Sequence, residues 1–325
     1  MTNDNLFDPV ALANSKFCDA ENDPGGYSHS TTELRHYADY KMSTDIEIRQ
    51  MTPQDVSAGM RLKELAGWNQ TERDWMRYLA FEPEGCFVAV RGGIVCGTVI
   101  AQRYGTDLGW IGMVLVDPEH RHQSIGTRLL DRGLDFLDRQ GIETVKLDAT
   151  PEARSLYLAR GFKDEYEIER WGGIAAPKEN PGIRRIEPHD MGRICACDAM
   201  VFGADRTRLL TALWQEVPGY TAVAHLSGEV TGYFFGRTGS LAHYLGPWVA
   251  WGDAELAEQL LMEFLIRVGG ERAFVDICVE NANVGTIVEA VGFSRQRKLT
   301  RMYRGPNRSP GKPSMICGIA GPELG

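Results

Sequence analysis

The stretch "DPEHRHQSIGTRLL", Asp117 to Leu130, lies between the apolar run "GWIGMVLVD" and a segment whose apolar residues recur at helical spacing. The preceding run is rich in β-branched and aliphatic residues and reads as a buried strand. In the following segment Ile125, Leu129, Leu130, Leu134 and Leu137 share one face of a helix. The stretch is therefore a strand-to-helix turn. The first N–H groups of a helix have no internal partner, and with the helix dipole they attract anions such as phosphate. Gly126 permits close approach to the backbone, Arg121 and His122 add donors, and Arg128 adds charge one turn inside. Ser124 stands where such a turn favours glycine. From its own residues the stretch reads either as an anion cradle or as an ordinary connection.

Outward from this turn, "CFVAV" and "GIVCGTVIAQR" flank the glycine turn "RGG" and predict a hairpin. "TVKLDA" is a further strand. "PEARSLYLARGF" is a short helix with proline in its first turn and Gly161 just past its end. The pattern then repeats. "IRQMTPQDV" from Ile48 recurs as "IRRIEPHDM" from Ile183, and "CFVAVRGGIVCGTVI" from Cys86 as "TAVAHLSGEVTGYFF" from Thr221 at the same offset, with Gly97 matching Gly232. "TPEARSLYLARGF" from Thr150 recurs as "NANVGTIVEAVGF" from Asn281 at a slightly shorter offset. Each copy reads as strand, helical region, three antiparallel strands, helix, strand, helix, strand. The fold class is α+β: two tandem domains, each a mixed, mostly antiparallel sheet flanked by helices. The expected organisation is a polar, mobile tail over residues 1–43, a first domain over 44–172, a linker over 173–182, and a second domain over 183–325. Met42 opens a stretch that reads like a natural beginning, so translation starting there is a second reading of the N-terminus.

The 325 residues are 43% hydrophobic and 24% charged, as in soluble globular proteins. A net charge of −9 argues against general nucleic-acid binding, and no apolar run is long enough to span a membrane. The first residues lack a basic region and an apolar core, so no secretory signal is legible. The seven cysteines are scattered with no CxxC pair, and Cys195 and Cys197 point in different directions on a helix. No metal site is expected, and reduced thiols fit a cytoplasmic protein.

Two signatures together resemble the GNAT superfamily of acyl-CoA-dependent N-acetyltransferases. The family's loop pattern, Arg/Gln-x-x-Gly-x-Gly/Ala, reads here Arg121, His122, Gln123, Ser124, Ile125, Gly126, with serine at the first glycine. Serine is small and a good helix N-cap, so a backbone cradle is compatible with it. The second signature is "ATPEARSLYLARGF", in which Thr150 replaces the family's asparagine while Tyr157, Gly161 and Phe162 fit. The resemblance implies a central strand pair that splays apart and takes acetyl-CoA, as co-substrate, in the gap. It implies backbone contacts from Met113, Val114, Leu115 and Val116, pyrophosphate contacts from Arg121, His122, Gln123, Ser124, Ile125, Gly126 and Thr127, and a further contact from Thr150. An N–H near Met113 or Val114 would polarise the thioester.

On its own residues Tyr157 reads as a buried aromatic; the resemblance implies a general acid for the departing thiolate. Asp148, Asp117 and Glu119 are carboxylates near the site, and none is singled out as base. In the helical region "LKELAGWNQTERDWMRYL", Trp68, Asn69, Gln70 and Trp75 form a polar-aromatic cluster at a helix break. It reads equally as an acceptor pocket and as a helix cap by Asn69 or Thr71.

The second copy lacks the loop's arginine and glycine, and Val288 takes the tyrosine position, while Asn281, Gly292 and Phe293 remain. It reads as a degenerate repeat that is structural or closes the acceptor site. The implied activity is transfer of an acetyl group to a primary amine, of a small molecule, by a monomer or homodimer. A non-catalytic acyl-CoA sensor and a protein or peptide N-acetyltransferase are the alternatives.

Overall fold

The computed structural model describes residues 46–175, 182–251 and 254–325. The N-terminal tail, Cys18, the reading at Met42 and most of the linker lie outside these residues. In the first half the chain forms β1 (Glu47–Gln50), α1 (Val56–Leu65), α2 (Glu72–Phe81), β2 (Cys86–Arg91), β3 (Ile94–Tyr104), β4 (Leu108–Val116), α3 (Ile125–Arg139), β5 (Thr144–Ala149), α4 (Pro151–Leu158) and β6 (Lys163–Ile174). The second half forms α5 (Met191–Phe202), α6 (Thr207–Glu216), β7 (Thr221–Leu226), β8 (Glu229–Arg237), β9 (His243–Ala250), α7 (Ala254–Arg267), β10 (Arg272–Cys278), α8 (Val284–Ala290), β11 (Ser294–Arg304) and β12 (Ile316–Gly318).

The expected element order therefore occurs in both halves, with three differences. The segment from Ile183 makes no ladder: one backbone bond, from Val223 N to the Arg184 carbonyl, stands where β1 pairs four residues with β2. Strand β6 runs on to Ile174, taking in the first residues read as linker, because each residue from Ile168 to Ile174 pairs with β10. The C-terminal strand β12, after the last strand of the second copy, was not expected.

Repeated residues do repeated work. A Cβ on Gly97 would lie 2.8 Å from Leu129 Cδ1 of α3, and one on Gly232 would lie 2.8 Å from Leu260 Cδ1 of α7. Glycine lets each helix lie close on its sheet, and the predicted apolar face of α3 is buried there. Arg49 binds both oxygens of Asp55 at 2.8 Å, and Arg184 binds both oxygens of Asp190 at 2.7 Å. These guanidinium bonds are the main reason that both carboxyls are held down at about 2. A carboxyl depressed in the folded state contributes stability above its unfolded value, about 3.9, and loses it as pH falls toward the folded value. Thermal stability is thus expected to drop between about pH 4 and about pH 2. The Asp55→Asn, Asp190→Asn double variant should show a shallower drop when followed by circular dichroism; superimposable profiles would refute the assignment.

The twelve strands of the described residues form one sheet, in the order β1-β2-β3-β4-β5-β11-β6-β10-β12-β9-β8-β7. The last long strands are exchanged: β11 of the second half pairs with β5 of the first, and β6 of the first pairs with β10 of the second. In each half the central strands are parallel over only three pairs, Leu108–Trp110 with Thr144–Lys146 and His243–Leu245 with Ala273–Val275. Beyond these pairs β4 and β5 have no ladder with each other. In the second half β12 occupies the corresponding place, pairing Ile316 with Val249 and Gly318 with Trp248 and Ile277.

After β12 the chain runs to the first half. The Trp110 indole donates to the Pro322 carbonyl at 3.1 Å, and the Tyr104 hydroxyl to the Leu324 carbonyl at 2.7 Å. No helix among the described residues is long and apolar enough to cross a membrane.

Candidate active site

Strand β4 is irregular where it leaves β5. Thr98 pairs with Leu115 and Ile100 with Gly112, so Met113 and Val114 together face Val99 in a β-bulge. Met113 takes a left-handed φ of 51°, and its carbonyl accepts from the Thr98 hydroxyl at 2.7 Å. Val114 in the bulge and Val116 beyond it are half-buried on the open side.

The turn that follows is anchored by Asp117, whose carboxylate accepts from Arg61 at 2.6 Å and from the Glu119 N–H at 3.1 Å. The Arg61 bond holds this carboxyl below its usual range. His122 and Ser124 both take φ of 60°, the left-handed region in which a Cβ costs roughly 1–2 kcal/mol. This is the reason glycine suits the first position. Ser124 is the N-cap residue of α3 by position, but its side chain makes no cap bond, because the left-handed backbone does not present the hydroxyl as an extended N-cap does. The expectation that serine caps the helix is thereby corrected. The first bond at this end is Arg128 N to the Ser124 carbonyl, so the N–H groups of Ile125, Gly126 and Thr127 precede the helix ladder. A Cβ on Gly126 would meet only ordinary contacts, the nearest Val116 at 3.5 Å. Protein packing therefore does not demand glycine there.

A cleft runs from this turn along the gap. It is lined by Val114, Leu115, Val116, Arg121, His122, Ser124, Ile125, Gly126, Thr127, Thr150 and Tyr157, together with Trp68. Its inner end, with an empty volume of about 550 Å³ mouth included, is bounded by Trp68, Gln70, Met113, Asp148, Thr150 and Tyr157. Tyr157 lies edge-on to Phe162 with ring centroids 5.9 Å apart, and burial pushes its phenol well above the usual range.

Three expected site residues lie elsewhere. Gln123 turns aside to accept from Arg91 at 2.6 Å. Asn69 is buried as a clamp between the halves, donating to the Ala242 carbonyl at 3.0 Å and accepting from the Leu241 and Ala242 N–H groups. Trp75 is fully buried beside Tyr78, and a Cβ on Gly59 would lie 2.9 Å from its ring. The helix cap falls to Thr71, whose N–H and hydroxyl both donate to Asp74. Arg128 donates to the Ile46 carbonyl rather than into the turn. Of the three carboxylates near the site, Asp148 has both oxygens bonded to Arg301 at 2.8 Å, Asp117 is held as described, and Glu119 is exposed.

The exchange of strands brings in residues that local patterns did not indicate. Arg297, Lys298 and Leu299 of β11, and Pro322 and Glu323 of the C-terminal segment, line the cleft of the first half. The equivalent gap in the second half is filled by β12, and Val288, at the position matching Tyr157, is buried in the core.

Residues 54–162 match the Acetyltransferase (GNAT) family, and residues 194–318 match an Acetyltransferase (GNAT) domain. The uncharacterized N-acetyltransferase YitH of Bacillus subtilis is 22% identical over 77% of this chain and 88% of its own length. A putative acetyltransferase from Pyrococcus horikoshii shares the fold with a TM-score of 0.73 at 23% identity, over 86% of this chain and 96% of that one. The tandem GNAT protein from the clavulanic acid biosynthesis pathway superposes with a TM-score of 0.57 at 15% identity, over 81% of this chain and all of that one (100%).

Proposed function

The chain is a tandem member of the GNAT superfamily and an acyltransferase, and from that premise we propose that its first half carries an acetyl group from acetyl-CoA to a primary amine of a small molecule. One observation carries this reading: the gap between β4 and β5 is open and leads from a helix N-terminus to Tyr157, whereas the chain fills the equivalent gap with β12. Acetyl-CoA supplies the activated thioester. The free N–H groups of Ile125, Gly126 and Thr127, with Arg121 and His122, suit its pyrophosphate. The unpaired side of Val114 and Val116 suits its extended amide-bearing arm. The bulge at Met113 supplies a backbone N–H for the thioester oxygen. The amine nitrogen bonds to the carbonyl carbon as the C–S bond breaks, Tyr157, kept protonated by burial, gives its proton to the thiolate, and the proton that the nitrogen sheds on becoming the amide restores the phenol.

The second half serves as structure and closes the acceptor side. That closure disfavours a protein or peptide acceptor, since Pro322 and Glu323 occupy the ground an open groove would need. The test is twofold. Isothermal titration should give one acetyl-CoA per chain; two would contradict a filled second gap. Free thiol should be released from acetyl-CoA by some primary amine in a panel of amino acids, polyamines, aminosugars and peptides. Binding without release would support the sensor instead.

A further inference from the structure

Three buried polar atoms without a hydrogen-bond partner belong to residues lining the inner end of the cleft: Gln70 Oε1, Glu323 Oε2 and Arg297 Nε. Glu323 is 3% exposed. Its other oxygen accepts from Arg237 at 2.6 Å. Arg237 also lies 3.5 Å from Asp74, Asp74 lies 2.9 Å from Arg77, and Arg77 lies 2.6 Å from Glu216. This chain of contacts holds three carboxylates, Glu323, Asp74 and Glu216, and two guanidiniums, Arg237 and Arg77. The Arg297 guanidinium, near enough to feel Glu323, offsets the remaining negative charge, yet the Glu323 Oε2 oxygen itself lacks a donor. Glu216, at one end, is partly open to water, which screens it; Glu323, at the other, is buried at the cleft. A buried carboxylate oxygen without a donor is costly, and a cationic donor entering the cleft removes that cost.

Arg297 carries the opposite demand. It follows a bulge in β11 at Gln296 and makes no ion pair with a described residue. Burial and the nearby Arg170 work against its charge more than Asp276 and Glu323 support it, and its Nε has no acceptor. An anion in the cleft relieves both.

We propose that the acceptor is a primary amine that also bears an anionic group, its ammonium received by Glu323 and Gln70 and its anion by Arg297. The inference rests on the reading of this cleft as the acceptor site of acetyl transfer. Glu323 Oε2 then takes the proton that the ammonium must lose before its nitrogen attacks, while the leaving thiolate is protonated by Tyr157. Gln70 comes from the first half, and Glu323 and Arg297 from the second, so the second half selects the substrate of the first.

The test uses the unaltered full chain with acetyl-CoA and matched acceptors: amino acids against their α-amides, and phosphoethanolamine against ethanolamine. The two pairs separate a carboxylate from a phosphate. The anionic member of at least one pair should be favoured by about 10- to 100-fold in kcat/KM, the range for a charge-assisted hydrogen bond. Arg297→Ala should abolish that preference while changing acetyl-CoA affinity less than it changes the preference, and Glu323→Gln should slow both members alike. Neutral acceptors used as well as anionic ones would overturn the proposal while leaving acetyl transfer intact. So would an Arg297→Ala variant that loses acetyl-CoA affinity and keeps the preference. Absence of thiol release with every amine would defeat the transfer reading and this inference with it. The matched-acceptor comparison needs no variant, so a Glu323→Gln chain that fails to fold does not weaken it.

Discussion

Tyr157→Phe is expected to lower kcat by about ten- to a thousandfold, the range for loss of a general acid, while acetyl-CoA binds with nearly unchanged affinity. The phenol ring lies buried against Phe162, and phenylalanine keeps that packing. The hydroxyl makes no hydrogen bond to a described residue, so its removal strands no partner in the protein. What is lost is a proton held ready: burial disfavours the phenolate, and the group remains protonated throughout the neutral range. Steady-state kinetics together with titration of acetyl-CoA separate the two effects. Equal loss of turnover and affinity would assign Tyr157 to packing alone.

Arg301→Met is expected to destabilise the protein by about 3–5 kcal/mol, a large share of the stability of an ordinary domain. Arg301 stands on β11 and is 2% exposed. It binds both oxygens of Asp148 on β5, donates to the Tyr166 hydroxyl at 2.7 Å and lies 4.7 Å from the centre of the Trp110 ring. Methionine fills much of the space but leaves Asp148 as an unpaired charge with a side chain 0% exposed. The penalty should therefore come from the stranded carboxylate more than from lost attraction. Adding Asp148→Asn should recover most of the loss, and a double-mutant cycle in urea measures the coupling. Additive effects of the two substitutions would show that the pair does not hold the seam. Asp148 also borders the inner end of the cleft, where acetyl transfer is proposed, so the single variant should lose activity as well as stability.

Much of the fold was legible because its signals are local. The face of Ile125, Leu129, Leu130, Leu134 and Leu137, the hairpin turn at Gly92 and Gly93, and Pro151 at the start of α4 each concern residues close along the chain. The turn from Asp117 to Leu130 was legible for the same reason, and so was its weak point: Ser124 occupies the left-handed position that glycine would fill without strain. The cluster from Trp68 to Trp75 was not resolvable in this way. Trp68 and Gln70 reach the cleft, while Asn69 and Trp75 do not. Within a helix break the direction of each side chain is set by what packs against it, and Asn69 packs against residues from Gly239 to Ala242 in the other half.

The sequence by itself determined the family, the order of elements, the repeat, and the turn and tyrosine on which the proposed chemistry rests. Only the tertiary structure decided which copy of the last long strand completes which half. The two copies are patterned so alike that β5 could be completed by β6 or by β11; the choice is made by pairs distant in sequence, among them Asp148 with Arg301 and Arg170 with Asp276. The same holds for β12, which closes one gap and leaves the other open, and for the segment that brings Glu323 to the first cleft. Propensity and periodicity describe neighbours along the chain, whereas strand exchange and gap filling are settled by contacts between residues far apart in it.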